Sequence, residues 1–180
     1  MAERWRYLMP SEIACAKKVF SDGLDYRKIR IYRGIPGLPH SRNAVSPNGH
    51  IYFPRNHCPP DFACADVAYQ MWLIHELTHV WQYQKGFRTW WAGLLLMAVG
   101  GYFRSRAYRY PPLSEITCFS DLNMEQQADF LAHYYAARYL PSNRHTPQLA
   151  AYQNILQPFL ADPTRRTGLP KYWPLPFYRK

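Results

Sequence analysis

"LIHELTHVWQ" occupies residues 73–82 and places His75, Glu76 and His79 in the spacing H-E-x-x-H. An α-helix brings residues i and i+4 onto one face. If this stretch is helical, His75 and His79 both aim a ring nitrogen at one point, where an ion would sit about 2 Å from each. Glu76 falls beside them, near enough to reach a metal-bound water but not placed to be a third ligand. The surrounding residues are mostly apolar, and the pattern predicts a helix from about Asp66 to Gln84.

A metal site that performs chemistry needs a third protein ligand and an open position. One arrangement supplies a histidine six residues after the second, with a glycine between. Lys85 and Gln82 hold those places, so it does not apply. Another takes a glutamate from a later helix in the frame E-x-x-x-D. "NMEQQADFLAHYY" (123–135) carries Glu125 and Asp129 in that frame, on a helix expected over roughly Leu122–Tyr139 with Ser120 or Asn123 as cap. Glu125 completes a two-histidine, one-glutamate set for a single Zn²⁺. Asp129, one turn on, is placed to accept the free ring N–H of a bound histidine, most readily His75. Both carboxylates border an apolar face of Ala128, Leu131, Ala132 and Tyr135, where a carboxylate needs a partner.

Two plainer readings compete. The histidines can be core residues satisfied by hydrogen bonds, with Glu125 and Asp129 solvated, or an ion can stabilise the fold without catalysis. His40, His50, His57 and His145 lie in or beside loops and read as exposed or local. His133, two turns beyond Glu125, either packs in the core or reaches the site as a donor to a developing oxyanion. Tyr108 and Tyr110 are further candidates for that task, and the residues do not choose among them.

Outward from this pair, the chain reads as α+β, mainly helical. A first helix starts at Pro10–Ser11 and is expected to end near "SDG" at 21–23. "RKIRIYRG" (27–34) alternates as a strand, and "HIYFP" (50–54) is a short strand that Pro54 ends and confines to an edge. A fourth helix is expected after Thr146 as cap, with Pro147 at its first position. Residues 86–118 are hard to assign. Their apolar run "WWAGLLLMAVGGYF" (90–103) is shorter than the roughly 18–20 residues needed to cross a bilayer, so it reads as core or as a segment touching a membrane surface. The expected organisation is one domain over 1–160 and a Pro- and aromatic-rich arm over 161–180.

With 15 Tyr, 9 Phe and 6 Trp the chain is too aromatic for disorder. Lys and Arg number 22 against 12 Asp and Glu, a net charge of +10, which suits anionic surroundings or a generally basic surface. No nucleic-acid signature accompanies it, so no specific nucleic-acid partner is expected. Cys15, Cys58, Cys64 and Cys118 lack C-x-x-C spacing, which argues against a zinc knuckle. Cys58 and Cys64 flank a Pro-rich turn and either bridge in an oxidising compartment or stay free. "MAERWRYLMPSE" has no apolar signal region, so the chain is expected to be made in the cytoplasm.

The pieces "SPNGHIYFP" (46–54), "DF" (61–62), "IHELTHVWQYQKG" (74–86), "YRYPP" (108–112) and "FSDLNMEQQAD" (119–129) resemble, in order, the small H-E-x-x-H metallopeptidases linked to type VI secretion. These are often called Vgr- or Rhs-related, and the pieces are also similar to the peptidase domain at the C-terminus of some VgrG spikes. The resemblance implies a zincin-like fold of the gluzincin type with a small sheet beside the H-E-x-x-H helix. It implies zinc on His75, His79 and Glu125, with Glu76 catalytic. It further implies an antibacterial effector toxin carried by a VgrG-type spike or adaptor, acting on a peptide or protein in a competitor's periplasm and held in check by an immunity protein. The cysteines, the aromatic tail and the variable-looking 87–103 segment depart from that pattern.

The expected activity is zinc-dependent amide hydrolysis with Glu76 as general base, and "GHIYF" as an edge that aligns an extended substrate. A cell-wall amidase would use the same ligands. The rivals are an inactive metal-stabilised adaptor, and a nucleic-acid or membrane-surface protein driven by charge.

Overall fold

The computed structural model describes residues 5–38 and 40–171. Its elements run β1 (Trp5–Tyr7), α1 (Pro10–Phe20), β2 (Arg30–Arg33), β3 (Ile51–Phe53), α2 (Val67–Gln84), α3 (Thr89–Ala98), α4 (Met124–Tyr139) and α5 (Leu149–Ala161). The fold is therefore α+β and mainly helical, with a small sheet of order β1-β2-β3. β1 pairs antiparallel with β2, Arg6 opposite Ile31, and β2 pairs parallel with β3, Ile31 opposite Ile51. The alternation read in 27–34 turns Ile29 and Ile31 inward, and both are fully buried beside Ile51 and Phe53. The strand is shorter than expected, because Tyr26–Lys28 form a 3₁₀ turn before it.

β1 escaped the sequence reading, since three residues carry no period. It is fixed instead by Arg6, whose two guanidinium nitrogens meet the buried Glu12 carboxylate at 2.7 Å each. Glu12 also accepts from the backbone N–H of Met9 and Phe62 at 2.8 and 2.9 Å. One carboxylate thus joins the start of α1, the sheet and the loop before α2.

β3 is an edge strand, but its outer edge is not free. Val45 and Tyr52 exchange both backbone hydrogen bonds, at 3.0 and 3.1 Å. The expectation that "GHIYF" itself offers an open edge is thereby corrected.

α2 packs against α4 across the main core, where Leu77, Val80, Trp81, Phe130 and Leu131 are fully buried. Asn123 caps α4: its Oδ1 accepts from the N–H of Glu125 and Gln126, each at 2.9 Å. Gln126 Oε1 accepts back from Asn123 N–H at 2.9 Å, closing a capping box. Of the two caps expected, Ser120 is not the one used. The expected helix start at Thr146 is corrected as well. Thr146–Gln148 form a 3₁₀ turn, Thr146 Oγ1 accepts from Asn143 N–H, and the α-helix begins at Leu149. Pro147 therefore lies in the turn before α5 and not at its first position.

The segment after α5 returns to the body. Trp81 Nε1 donates to Pro163 O at 2.7 Å, and Gln127 Nε2 donates to Gly168 O at 2.9 Å. The rest of the Pro- and aromatic-rich arm, 172–180, lies outside the described residues. All four cysteines are free thiols. Among the described residues no helix is long and apolar enough to cross a membrane.

Candidate metal centre

The i, i+4 spacing on α2 sets His75 and His79 side by side, their ring centroids 4.9 Å apart. α4 brings Glu125 against them. His79 Nε2 stands 3.2 Å from His75 Nε2 and 3.2 Å from Glu125 Oε2, and His75 Nε2 stands 3.4 Å from the same oxygen. Three ligand atoms each 2.0–2.1 Å from a tetrahedral zinc lie about 3.3 Å from one another. The buried group His75, His79 and Glu125 can therefore hold a metal ion.

The outer nitrogens decide what the inner ones present. His75 Nδ1 is 2.8 Å from Asp129 Oδ1, a pure acceptor, so Nδ1 carries the proton. His79 Nδ1 is 3.0 Å from Gln82 Oε1. The amide is oriented by Gln82 Nε2, which donates to Met124 O and Gln127 Oε1, both at 3.1 Å. Each imidazole thus donates outward and turns a lone pair inward, toward a carboxylate oxygen. Such a set needs a positive charge at its centre, either a proton or a cation.

The electrostatics agree. Burial works against a charged His75, but the hydrogen bonds to Asp129 and Glu125 outweigh it and hold its pKa well above 6.5. His79 is likewise disfavoured as a cation by burial and raised on balance by Glu125. Burial would raise Glu125, yet His79 and His75 hold it far below the usual carboxylate range.

Glu76 is buried and both its oxygens are engaged. Ser46 Oγ donates to Oε2 at 2.8 Å and Trp72 Nε1 donates to Oε1 at 3.2 Å. Neither donor was identified from the sequence. Trp72 stands one turn before Glu76 on α2 and was in principle legible. Ser46 is brought in by the segment that covers β3. Gln82 stands three residues from His79, a facing distance on a helix, so its partnership with His79 is also local.

The cleft above these groups has a volume of about 970 Å³ and is lined largely by apolar side chains, among them Trp72, Trp90, Leu94 and Met97. Tyr108 and His133 line it, and the Tyr108 ring centroid is 6.0 Å from that of His75. Tyr110 is not on the cleft wall. Its hydroxyl meets His133 Nδ1 at 2.6 Å and Tyr152 Oη at 3.0 Å. Burial and the neighbouring His145 push His133 down to about 4. His145, expected to be exposed or local, is buried and stacked on His133 at 4.1 Å. Tyr102 was not identified from the sequence: its hydroxyl donates to Glu125 Oε1 at 2.8 Å. Burial and Glu125 raise its pKa, so it remains a donor.

Comparison with known proteins gives one consistent answer. The chain is 34% identical over 145 residues to the type VI secretion system spike protein VgrG2b of Pseudomonas aeruginosa, a match covering 74% of this chain. It spans only 13% of the length of that protein. The solved effector domain of P. aeruginosa VgrG2b superposes with a TM-score of 0.66 at 30% identity, covering 84% of this chain and 82% of that domain. No family model matches the chain.

Proposed function

The chain belongs to the family of the VgrG2b effector domain of type VI secretion, and on that premise we propose that it is a zinc metallopeptidase of zincin-like, gluzincin-type fold. The observation that carries this reading is the triangle of two inward-facing imidazole nitrogens and one carboxylate oxygen, 3.2–3.4 Å on a side, beside Glu76. When bound, zinc supplies Lewis acidity, which acidifies water and polarises a scissile carbonyl.

The chain's own residues do the rest. His75, His79 and Glu125 hold the ion, and Asp129 and Gln82 fix the two rings. Glu76, oriented by Ser46 and Trp72, takes the proton of the attacking water and delivers it to the leaving amine. A Tyr110 O–H donated to His133 Nδ1 leaves the proton of that neutral ring on Nε2. His133 and Tyr108 are then the donors available to a developing oxyanion, and Tyr110 acts through His133. The apolar cleft wall favours a protein segment with large apolar side chains over the small, acidic stem peptides of a cell wall.

Membership of a spike-borne family supports delivery by a VgrG-type spike, action in a competitor's periplasm and a cognate immunity protein. The test is expression in bacteria with and without a secretion signal. Toxicity is expected with periplasmic export. Glu76→Gln should retain the ion and lose at least about 10²-fold in turnover. Full toxicity of that variant overturns the catalytic assignment.

A further inference from the structure

α3 is apolar on every side, from Trp90 through Leu94, Leu95 and Leu96 to Ala98. A helix of that kind is normally enclosed by protein or lipid. Here only a stripe of Thr89, Ala92 and Leu96 is buried. Trp91 is 51% exposed, Val99 43% and Phe103, just beyond the helix, 65%. Residues 89–103 contain no charged side chain, yet Arg88 and Arg104 bracket them and Arg106 and Arg109 follow. From Glu76 to Glu115 there is no acidic residue between, against five basic ones with Lys85.

We infer that α3 and the turn through Phe103 form a docking surface for an anionic lipid bilayer, lying in its interface. Three observations select this occupant. Ten residues of helix span about 15 Å, half of a hydrocarbon core, so the element can lie in a bilayer surface but cannot cross it. Its composition, paired indoles with arginines at both ends, is that of interfacial anchors, where aromatic rings sit at headgroup depth. The absence of acid over the whole stretch complements phosphate headgroups and suits them better than a neutral apolar partner.

The geometry also ties the surface to the cleft. Trp90, Leu94 and Met97 line the cleft on one side of α3, while Trp91 and Ala98 face another side. A bilayer engaged through Trp91, Val99 and Phe103 therefore lies next to the cleft mouth, so the protein would meet segments presented at the membrane surface. This surface does not depend on the hydrolase reading. Protein carrying Glu76→Gln, or freed of metal, should bind lipid equally.

The test is sedimentation of the full chain with vesicles of phosphatidylglycerol and phosphatidylcholine in about equal parts, beside vesicles of phosphatidylcholine alone. Binding is expected to the anionic vesicles and to fall steeply as salt rises from about 50 to about 500 mM. Trp91→Ser and Phe103→Ser should each weaken it about tenfold or more. Arg104→Gln should weaken it about fivefold. Circular dichroism serves as the control for folding, and neither Trp91 nor Phe103 lines the cleft. Absence of vesicle binding, or binding that these variants leave intact, overturns the inference. So does an oligomer in lipid-free solution that Trp91→Ser dissolves, since the patch would then cover a second copy.

Discussion

Helices α2 and α4 meet across a core in which Leu77, Trp81, Phe130 and Leu131 are fully buried, whereas α3 rests on a satellite cluster of Ala92, Leu96, Ala107 and Met124. Both regions border the same cleft. The first holds groups whose function depends on tenths of an ångström: three ligand atoms, two rings fixed by Asp129 and Gln82, and a carboxylate fixed by two donors. The second offers surface, with large side chains and few polar partners. The contrast teaches a division of labour: precise geometry sits on the most heavily packed elements, and recognition sits on an element with little of its own packing to lose.

The sharpest way to break this contrast is to remove a ligand. Glu125→Ala should abolish both metal retention, read by elemental analysis, and activity, because two histidines leave the ion without its third protein ligand. A variant that keeps the ion at full occupancy would sink the site. Next in size is core truncation. Trp81→Ala should cost about 3–5 kcal/mol in denaturant unfolding, since it empties the space between α2, α5 and the returning segment. Asp129→Asn follows, with metal affinity reduced about 10- to 100-fold by competitive chelation, because a neutral amide orients His75 less firmly.

pH separates proton from metal at the same nitrogens. With metal stripped, the raised His75 pKa gives stability that is complete below 6.5 and lost as pH rises through the folded value. The lowered Glu125 pKa gives stability present above 4.5 and lost as pH falls toward its folded value. Stripped protein should therefore melt highest between those two values. Added Zn²⁺ should reverse the upper slope, since the cation needs the nitrogens deprotonated. Smallest of all, Trp91→Ser should lower unfolding free energy by about 1–2 kcal/mol, because half of the ring, set edge-on against Trp90, is already in solvent. Hydrogen exchange sharpens the same point, with α3 amides expected to exchange well before those of α2 and α4.

The convergence of His75, His79 and Glu125 was legible because helical periodicity converts spacing into direction. Two histidines four apart and a glutamate with an aspartate four later each define a face, and apolar neighbours say that both faces turn inward. Ser46, Tyr102 and the cover over β3 were not legible, because each arrives from a segment without a period. Ser46 comes from a turn-rich loop, and Tyr102 from the end of an apolar run that composition does not place. β1 and the 3₁₀ turn at Thr146 failed for a related reason: both are shorter than any pattern that could announce them.

The amino-acid sequence by itself determined the α2 and α4 helices, the inward direction of His75, His79, Glu125 and Asp129, and the mainly helical α+β class, because these follow from local periodicity and burial. Tertiary structure alone decided that Ser46 grips Glu76, that Tyr110 stands behind His133 and off the cleft wall, and that α3 leaves Trp90, Trp91 and Met97 about half exposed. Those outcomes depend on where separate segments meet, which is set by packing across long chain separations and leaves no repeat in the sequence.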